Sequence, residues 1–116
     1  MPRLFLRLRF DPSGQFGPGK AELLESIGKT GSIRKAAAAM KMSYRRAWLL
    51  LQELEVMFDA PVIARSTGGT KGGGATLTPA GKMLIRRFRS IEKRATAAAA
   101  DDIKALAKLH AAARRR

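Results

Sequence analysis

The sequence predicts a mainly α-helical protein with a small β component. Apolar residues recur at spacings of three and four over most of the chain after residue 18, which is the period of an amphipathic helix. Strand-like patterns are confined to three short segments, residues 4–10, 61–65 and 75–78. The chain has 116 residues, of which 46% are hydrophobic, so it suffices for one small domain with a modest core.

The first segment alternates apolar side chains with mostly basic ones. Period two predicts a strand with one buried face, formed by Leu4, Leu6, Leu8 and Phe10. The glycine- and proline-rich residues 11–19 then interrupt the chain.

A helix of about three turns is predicted next. Pro18 suits its first turn, because the missing proline N–H would have no partner there. Ala21, Leu24 and Ile27 fall on one side, and Gly31 ends the helix.

The pattern of residues 32–58 predicts two helices joined by a tight turn. Ser32 and Ser43 can each cap a helix. Since small alanines let two helices cross closely, the pair is typical of a helix-turn-helix. Lys41 stands near the turn position that usually favours glycine, so a mildly strained residue is predicted there. The predicted inner faces are Ile33, Ala36, Ala37 and Met40 in the first helix, and Ala47, Trp48, Leu51, Leu54 and Phe58 in the second.

The stretch RSTGGTKGGGATLTPAG, residues 65–81, contains five glycines within residues 68–74. It is not a Walker phosphate loop, since Ala75, followed by Thr76, stands where the pattern requires a Lys before its Ser/Thr. The dinucleotide-binding pattern also fails, because Leu77 occupies the place of the third glycine. Strand patterns on both sides predict a β-hairpin wing with a glycine-rich tip, and a disordered loop without contacts stays an alternative.

Residues 79–116 are predicted to be helical throughout, with Thr78 as the cap and Pro79 at the first position. The heptad-like spacing of apolar residues shifts by one residue near Asp102, and this shift predicts a kink or two helices. The segment could be a dimerisation helix or could fold back on its own domain. We therefore divide the chain into a winged helix-turn-helix at 1–78 and a helical dimerisation segment at 79–116, within one structural unit. The apolar face of the segment comprises Leu84, Phe88, Ile91, Ala95 and Ala98, then Ala99, Ile103, Leu106 and Ala113.

The charge balance indicates a polyanionic partner. Twenty-three Lys and Arg residues oppose nine Asp and Glu residues, which gives a formal net charge of +14. Nucleic acid is the favoured partner, and an acidic membrane surface is the competitor. The chain has no cysteine, and no apolar run approaches the roughly 18 residues that span a membrane. The arginine-rich start interrupts any signal-peptide core, so a cytoplasmic, nucleoid-associated protein is expected.

Catalysis, a metal site and a cofactor are not expected. A nucleophile needs a base within reach, and the single histidine, His110, stands on the tail. The acidic residues that could act as acid or base are all predicted to lie on solvated helix faces: Glu22, Glu25, Glu53, Glu55 and Asp59.

Two stretches carry a resemblance to a known family. Residues 31–55, GSIRKAAAAMKMSYRRAWLLLQELE, and the glycine-rich residues 65–81 resemble the DNA-binding domain of ModE, the bacterial molybdate-responsive regulator. The GS…AA and LTPAG elements are also similar to the LysR-type amino-terminal domain. The resemblance extends from about Arg3 to Ile91, and it implies a winged helix-turn-helix that binds duplex DNA as a two-fold dimer. The departures from the ModE pattern are Leu49, Leu50 and Thr70.

ModE proteins usually carry a carboxy-terminal molybdate-binding part built of small β-barrel units. Here the residues after Pro79 have a helical pattern. A molybdate site needs a closed shell of hydrogen-bond donors, because the dianion is costly to remove from water. We therefore do not expect this chain to bind molybdate.

The predicted DNA-contacting residues belong to the two motif helices and the wing. Arg45 and Arg46 stand in the first turn of the second helix, where side chains reach base edges, and arginine can pair bidentately with guanine. Leu49 shares their outer face and could touch a thymine methyl group. The full predicted set is Ser32, Arg34, Lys35, Ser43, Tyr44, Arg45, Arg46, Leu49, Arg65, Thr67 and Lys71.

The function predicted from these features is sequence-specific binding of double-stranded DNA by a homodimeric transcriptional regulator without a molybdate-sensing domain. The alternative is a sequence-tolerant structural DNA binder of the nucleoid type. It is kept because eleven Lys and Arg residues oppose three Asp and Glu residues from Pro79 onward, outside the motif.

Overall fold

The computed structural model describes residues 2–66 and 74–115. Within these ranges the chain forms four strands and five helices, which confirms the mainly α class with a small β component. Each sheet is an antiparallel pair of strands, β1 with β2 and β3 with β4. In chain order the elements are β1 (Leu8–Phe10), β2 (Gly14–Phe16), α1 (Pro18–Thr30), α2 (Ile33–Ala39), α3 (Tyr44–Phe58), β3 (Ile63–Ser66), β4 (Gly74–Leu77), α4 (Pro79–Ala98) and α5 (Ala100–Arg114).

The N-terminal strand is shorter than predicted and forms one half of a hairpin. The prediction was wrong for residues 4–7, and the supposed interruption contains β2, which places Phe16 opposite Leu8. Phe16 is buried, and its ring centroid lies 5.0 Å from that of Phe88 in α4. Because β2 has only three residues between glycine- and proline-containing turns, its sequence has too little periodicity to predict a strand.

The first helix, α1, follows the prediction. Pro18 occupies its first position, and Gly31 ends it with a φ of 72°. The N–H of Gly31 donates to the carbonyl oxygen of Ile27 at 2.8 Å, and this left-handed conformation favours glycine. The buried residues of the helix are Ala21, Leu23, Leu24 and Ile27.

The two motif helices are capped as predicted. The Oγ of Ser32 accepts a hydrogen bond from the N–H of Lys35 at 3.1 Å, and the Oγ of Ser43 accepts one from the N–H of Arg46 at 3.0 Å. Lys41 has a φ of 58°, so the predicted strain in the turn is confirmed. The alanines buried where these helices cross are Ala36, Ala37 and Ala47.

Two predicted core residues of α3 lie at the edge of its buried face. Trp48 is half-buried and lines a groove beside Ile63 of β3 instead of joining the core cluster. Phe58 is also half-buried, and its ring packs edge-on against the rings of Phe10 and Phe16 at 5.3 and 5.9 Å. A spacing of three and four predicts the apolar side of a helix, but the neighbouring elements decide how much of that side is covered.

The predicted wing strands pair with each other. Ile63 of β3 lies opposite Leu77 of β4, and the N–H of Ala75 donates to the carbonyl oxygen of Gly31 at 2.9 Å. This bond joins the hairpin to the end of α1. The predicted glycine-rich tip, residues 67–73, lies outside the described residues, and with it Thr67 and Lys71.

The fourth helix, α4, begins as predicted. The hydroxyl of Thr78 accepts from the N–H of Gly81 at 3.1 Å and donates to the carbonyl oxygen of Pro61 at 2.6 Å. Farther along α4, Phe88 is 1% exposed and packs on Phe16 in the core. At this position, therefore, the predicted apolar face of residues 79–116 packs inside its own domain.

The C-terminal helical segment is interrupted once, at Ala99. The helix break predicted near Asp102 therefore lies three residues earlier, and it divides the segment into α4 and α5. The N–H of Ile103 donates to the carbonyl oxygen of Ala99 at 2.9 Å, so helical hydrogen bonding resumes directly after the interruption. No residue of α5 within the described range is buried.

An ion-pair network joins α1 to α4. The Nε and Nη2 of Arg89 donate to the carboxylate of Glu25 at 3.1 and 2.7 Å, and the Nη1 donates to Glu92 at 2.7 Å. The bonds to Glu25 and then to Glu92 raise the pKa of Arg89 above its ordinary value. Glu25 is thus ion-paired but still partly solvated. The prediction of a solvated face was wrong for Glu55, which is half-buried and whose Oε2 accepts from the N–H of Val62 at 2.9 Å.

Candidate nucleic-acid interface

The outer face of α3 carries an exposed stripe of mixed chemistry. Arg45, Leu49 and Gln52 lie at intervals of four and three residues along this face, and all three are exposed. The same helix buries Ala47, Leu51 and Leu54 on the opposite face. The stripe is therefore fixed in orientation by the core, and it presents a cation, an apolar surface and an amide in a row. Gln52 was not among the predicted residues, although its spacing from Arg45 indicates the same face.

The predicted serines act on the backbone of their own helices. Since the Oγ atoms of Ser32 and Ser43 accept the N–H groups of Lys35 and Arg46, each serine holds the first turn of its helix in place. Each hydroxyl keeps its own O–H as a donor, which is available to an acceptor outside the helix.

The side chain of Arg34 stacks on that of Tyr44. The Cζ of Arg34 lies 4.8 Å from the centroid of the Tyr44 ring, which is the geometry of a cation–π contact. The pair joins the start of α2 to the start of α3 across the turn. The sequence placed both residues in the interface but did not predict the stack, because the contact depends on the angle between the helices.

Arg34 and Lys35 are both exposed in the first turn of α2, and Arg65 is exposed on β3. Arg65 lines a groove of about 300 Å³ between α3 and the wing, together with Trp48 and Gln52. Arg65 is thus positioned next to Gln52, the last residue of the exposed stripe.

Arg46 does not lie on the outer stripe. It lines a separate groove together with Arg7 and Lys20, between the start of α1 and the first turns of α3. The helical period predicted one shared outer face for Arg45 and Arg46, and the sequence pattern indicated no role for Arg7 or Lys20. Only the folded arrangement brings these three cations together, since they come from three segments of the chain.

Within residues 2–66 and 74–115, no group of three or more His, Asp or Glu residues is arranged to hold a metal ion. In the same part of the chain, no helix is both long and apolar enough to cross a membrane. Within the described residues, the charged side chains lie at the surface, because none of the polar or charged side chains there is buried.

A helix-turn-helix followed directly by an antiparallel hairpin and packed against a further helix defines a winged helix-turn-helix protein. The family model for the bacterial regulatory helix-turn-helix proteins of the lysR family matches residues 19–82. This match covers more than half of the chain, so the chain belongs to that family.

Two relatives align with more than half of this chain. The chain is 44% identical over 78 residues to the molybdenum-pterin-binding protein MopB of Rhodobacter capsulatus, in an alignment covering 67% of this chain and 29% of MopB. It is 37% identical over 71 residues to the DNA-binding transcriptional dual regulator ModE of Escherichia coli (strain K12), covering 61% of this chain and 27% of ModE. The resemblance to the ModE domain is confirmed. The chain spans less than a third of the length of these two relatives.

The fold also matches that of solved structures. The crystal structure of a CbnR_DBD–DNA complex superimposes with a TM-score of 0.59 at 22% identity, covering 77% of this chain and 95% of that chain. At this level of identity the match shows the fold alone.

Proposed function

We propose that this chain binds double-stranded DNA in a sequence-specific manner as part of a transcriptional regulator of the ModE and LysR type. The observation that carries the proposal is the outer stripe of α3, in which Arg45, Leu49 and Gln52 are exposed while the opposite face is locked into the core. The relatives support it, since ModE of Escherichia coli is a DNA-binding transcriptional dual regulator.

In the proposed complex, α3 lies in the major groove. Arg45 pairs with a guanine through two hydrogen bonds, and Leu49 contacts a thymine methyl group. Tyr44 and the O–H of Ser43 lie at the edge of the groove, where sugar and phosphate atoms are in reach. Transcription is blocked or activated according to the position of the protein on the DNA.

Backbone contacts fix the position of α3 on the duplex. The exposed start of α2 presents Arg34 and Lys35 to one phosphate strand, next to the hydroxyl of Ser32. The wing, with Arg65, Thr67 and Lys71, follows the flanking backbone. These contacts add affinity without sequence information.

A second candidate function is structural DNA binding of the nucleoid type. It is favoured by the excess of eleven Lys and Arg over three Asp and Glu from Pro79 onward, which is +8 of the total +14 and lies outside the motif. In that case affinity would depend on charge and hardly on sequence.

Competition between genomic fragments and bulk DNA separates the two functions. If Arg45 contacts a base, Arg45→Ala costs about 1–3 kcal/mol on the selected site and relaxes the preference at one base position. Lys71→Ala instead weakens binding to all sequences alike and lowers the salt slope by about one. Equal losses on every sequence from both variants would favour the nucleoid function.

We further propose that the chain forms a homodimer through α5. This helix has no buried residue in the described range, yet it carries Leu106 and Leu109, which are 64% and 68% exposed. A second copy would cover these leucines, and the two recognition helices would then contact half-sites about 34–36 Å apart or a multiple of that distance.

Light scattering at micromolar concentrations tests the dimer. Leu106→Glu should convert the dimer to a monomer, while Lys108→Glu, a change at a neighbouring exposed position, should retain it. A wild-type chain that stays monomeric and protects a single half-site would contradict the proposal.

We also propose that the protein acts in the cytoplasm on nucleoid DNA, without catalytic activity of its own. The name of ModE of Escherichia coli describes a DNA-binding transcriptional regulator, which supports the assignment to DNA.

A further inference from the structure

A groove lined by three basic side chains lies beside the recognition helix. Arg7, Lys20 and Arg46 contribute its cations, and its volume is about 280 Å³. Among the residues that the structure describes, no carboxylate lines it. The remaining lining comes from Gln15, Gly17, Gly19, Met42 and Leu50.

The stem of Arg7 lies close to Gly17 at this groove. A Cβ atom at residue 17 would lie 2.8 Å from the Cγ of Arg7, which is closer than real Cβ contacts allow. Glycine therefore leaves the space in which the methylene stem of Arg7 lies. The exposed guanidinium makes no ion pair within the described part of the chain.

The ammonium group of Lys20 has two contacts within the protein, and one of its N–H donors remains for a ligand. Its side chain is only 12% exposed, its Nζ donates to the carbonyl oxygen of Gln15 at 2.6 Å, and it lies 3.6 Å from Oε1 of Glu53. A lysine ammonium has three N–H donors, so one remains for a ligand. Glu53 offsets part of the positive charge of Lys20.

Arg46 completes the cluster from the side of α3. It follows Arg45 directly, so the two side chains point about 100° apart around the helix. Arg45 shares the outer stripe with Leu49, whereas Arg46 shares the groove with Lys20. The two adjacent arginines therefore present their charges on different sides of α3.

We propose that this groove binds a backbone phosphate of the DNA duplex, with Arg7, Lys20 and Arg46 as its cationic contacts. The inference rests on the proposed DNA-binding function and assigns Arg46 to the phosphate backbone instead of a base. The three cations, of which only Lys20 lies near a carboxylate, that of Glu53, leave a net positive charge at the groove, and this favours an anionic group such as a phosphodiester. Because the groove borders the first turns of α3, a duplex contacted by Arg45 brings its backbone to this edge.

The first test removes one cation and compares it with a neighbour. Arg7→Ala is measured against Arg9→Ala, since Arg9 is exposed two residues away, lies 4.0 Å from Asp11 and does not line the groove. Fluorescence anisotropy with mixed-sequence duplexes of about 30 base pairs, over a range of NaCl concentrations, gives the salt slope. Arg7→Ala should lower the slope by about 0.9 and weaken all sequences by the same factor, with Arg9→Ala close to wild type.

The second test predicts a gain, which loss of folding cannot imitate. Glu53→Gln removes the carboxylate beside Lys20, so it should bind every duplex more tightly than the wild type does. The control is Glu22→Gln, an equal change of charge on α1 outside the groove. Equal slopes for the two arginine variants, or a Glu53→Gln gain no larger than that of Glu22→Gln, would overturn the proposal.

Three further outcomes distinguish the possible explanations. If inorganic phosphate binds saturably in calorimetry, Arg7→Ala abolishes that binding and DNA affinity is unchanged, the groove belongs to a free anion and the backbone assignment is wrong. If the wild type binds no duplex at all, the proposed function itself fails. If Arg45→Ala alters sequence preference while Arg7→Ala matches Arg9→Ala, the function stands and only the groove assignment fails.

Discussion

Removing the ring of Phe88 tests whether α4 belongs to the core of the DNA-binding unit. The side chain is 1% exposed, and its ring centroid lies 5.0 Å from that of Phe16, which comes from the N-terminal hairpin. Truncating a buried phenylalanine to alanine costs about 3–5 kcal/mol, from lost transfer energy and the cavity left behind. A small domain is stable by only about 5–15 kcal/mol, so Phe88→Ala should remove a large share of the free energy of unfolding.

Urea denaturation followed by circular dichroism measures this loss. With an m-value of roughly 1.5 kcal/mol/M, the midpoint should fall by about 2–3 M. Ile91→Ala is the matched control on α4, because Ile91 is 37% exposed and its truncation should cost about 1 kcal/mol or less.

Repeating the denaturation at several protein concentrations distinguishes packing of Phe88 inside its own chain from packing in a dimer contact. If Phe88 packs inside its own chain, the loss should be the same at low and high protein concentration. A loss that disappears on dilution would place Phe88 in a dimer contact instead, and an unchanged midpoint would refute the packing argument altogether.

Three further predictions concern the turn, the ion-pair network and the anion specificity. Lys41→Gly should stabilise the fold by about 0.5–1 kcal/mol in urea denaturation, since relief of the left-handed strain at a φ of 58° exceeds the added entropy of the unfolded glycine. A destabilised variant would contradict this. Arg89→Met should cost about 1 kcal/mol in low salt and less in 1 M NaCl, because the pairs with Glu25 and Glu92 are partly exposed and screened; a loss independent of salt would argue for packing alone. Calorimetry with molybdate at physiological salt should give no saturable binding to this chain, and micromolar binding coupled to DNA affinity would refute that expectation.

Local sequence signals were sufficient for most elements of the fold. Serines followed by helical periods marked the starts of α2 and α3, Gly31 marked the end of α1, and Lys41 marked the strained turn. These features depend on the hydrogen bonds and backbone angles of a few consecutive residues, so the residues themselves carry the information. For the same reason, the exposed first turn of the proposed recognition helix could be located before the structure was known.

Other features depend on segments that are distant along the chain. The strand β2, the half-buried position of Trp48 and the burial of Phe88 all follow from which element lies opposite. An apolar heptad face is equally compatible with a partner chain and with the protein's own core, and only packing chooses between them.

The candidate site divides in the same way. That Arg45 and Arg46 are exposed followed from the helical period, since Ala47 and Leu51 had to face inward. That the two arginines belong to different surfaces did not, because the groove of Arg46 also needs Arg7 and Lys20. Charges from separate segments converge only when the chain folds, so the sequence by itself determined which helix faces are exposed, and the tertiary structure decided which charges lie together in the candidate interface.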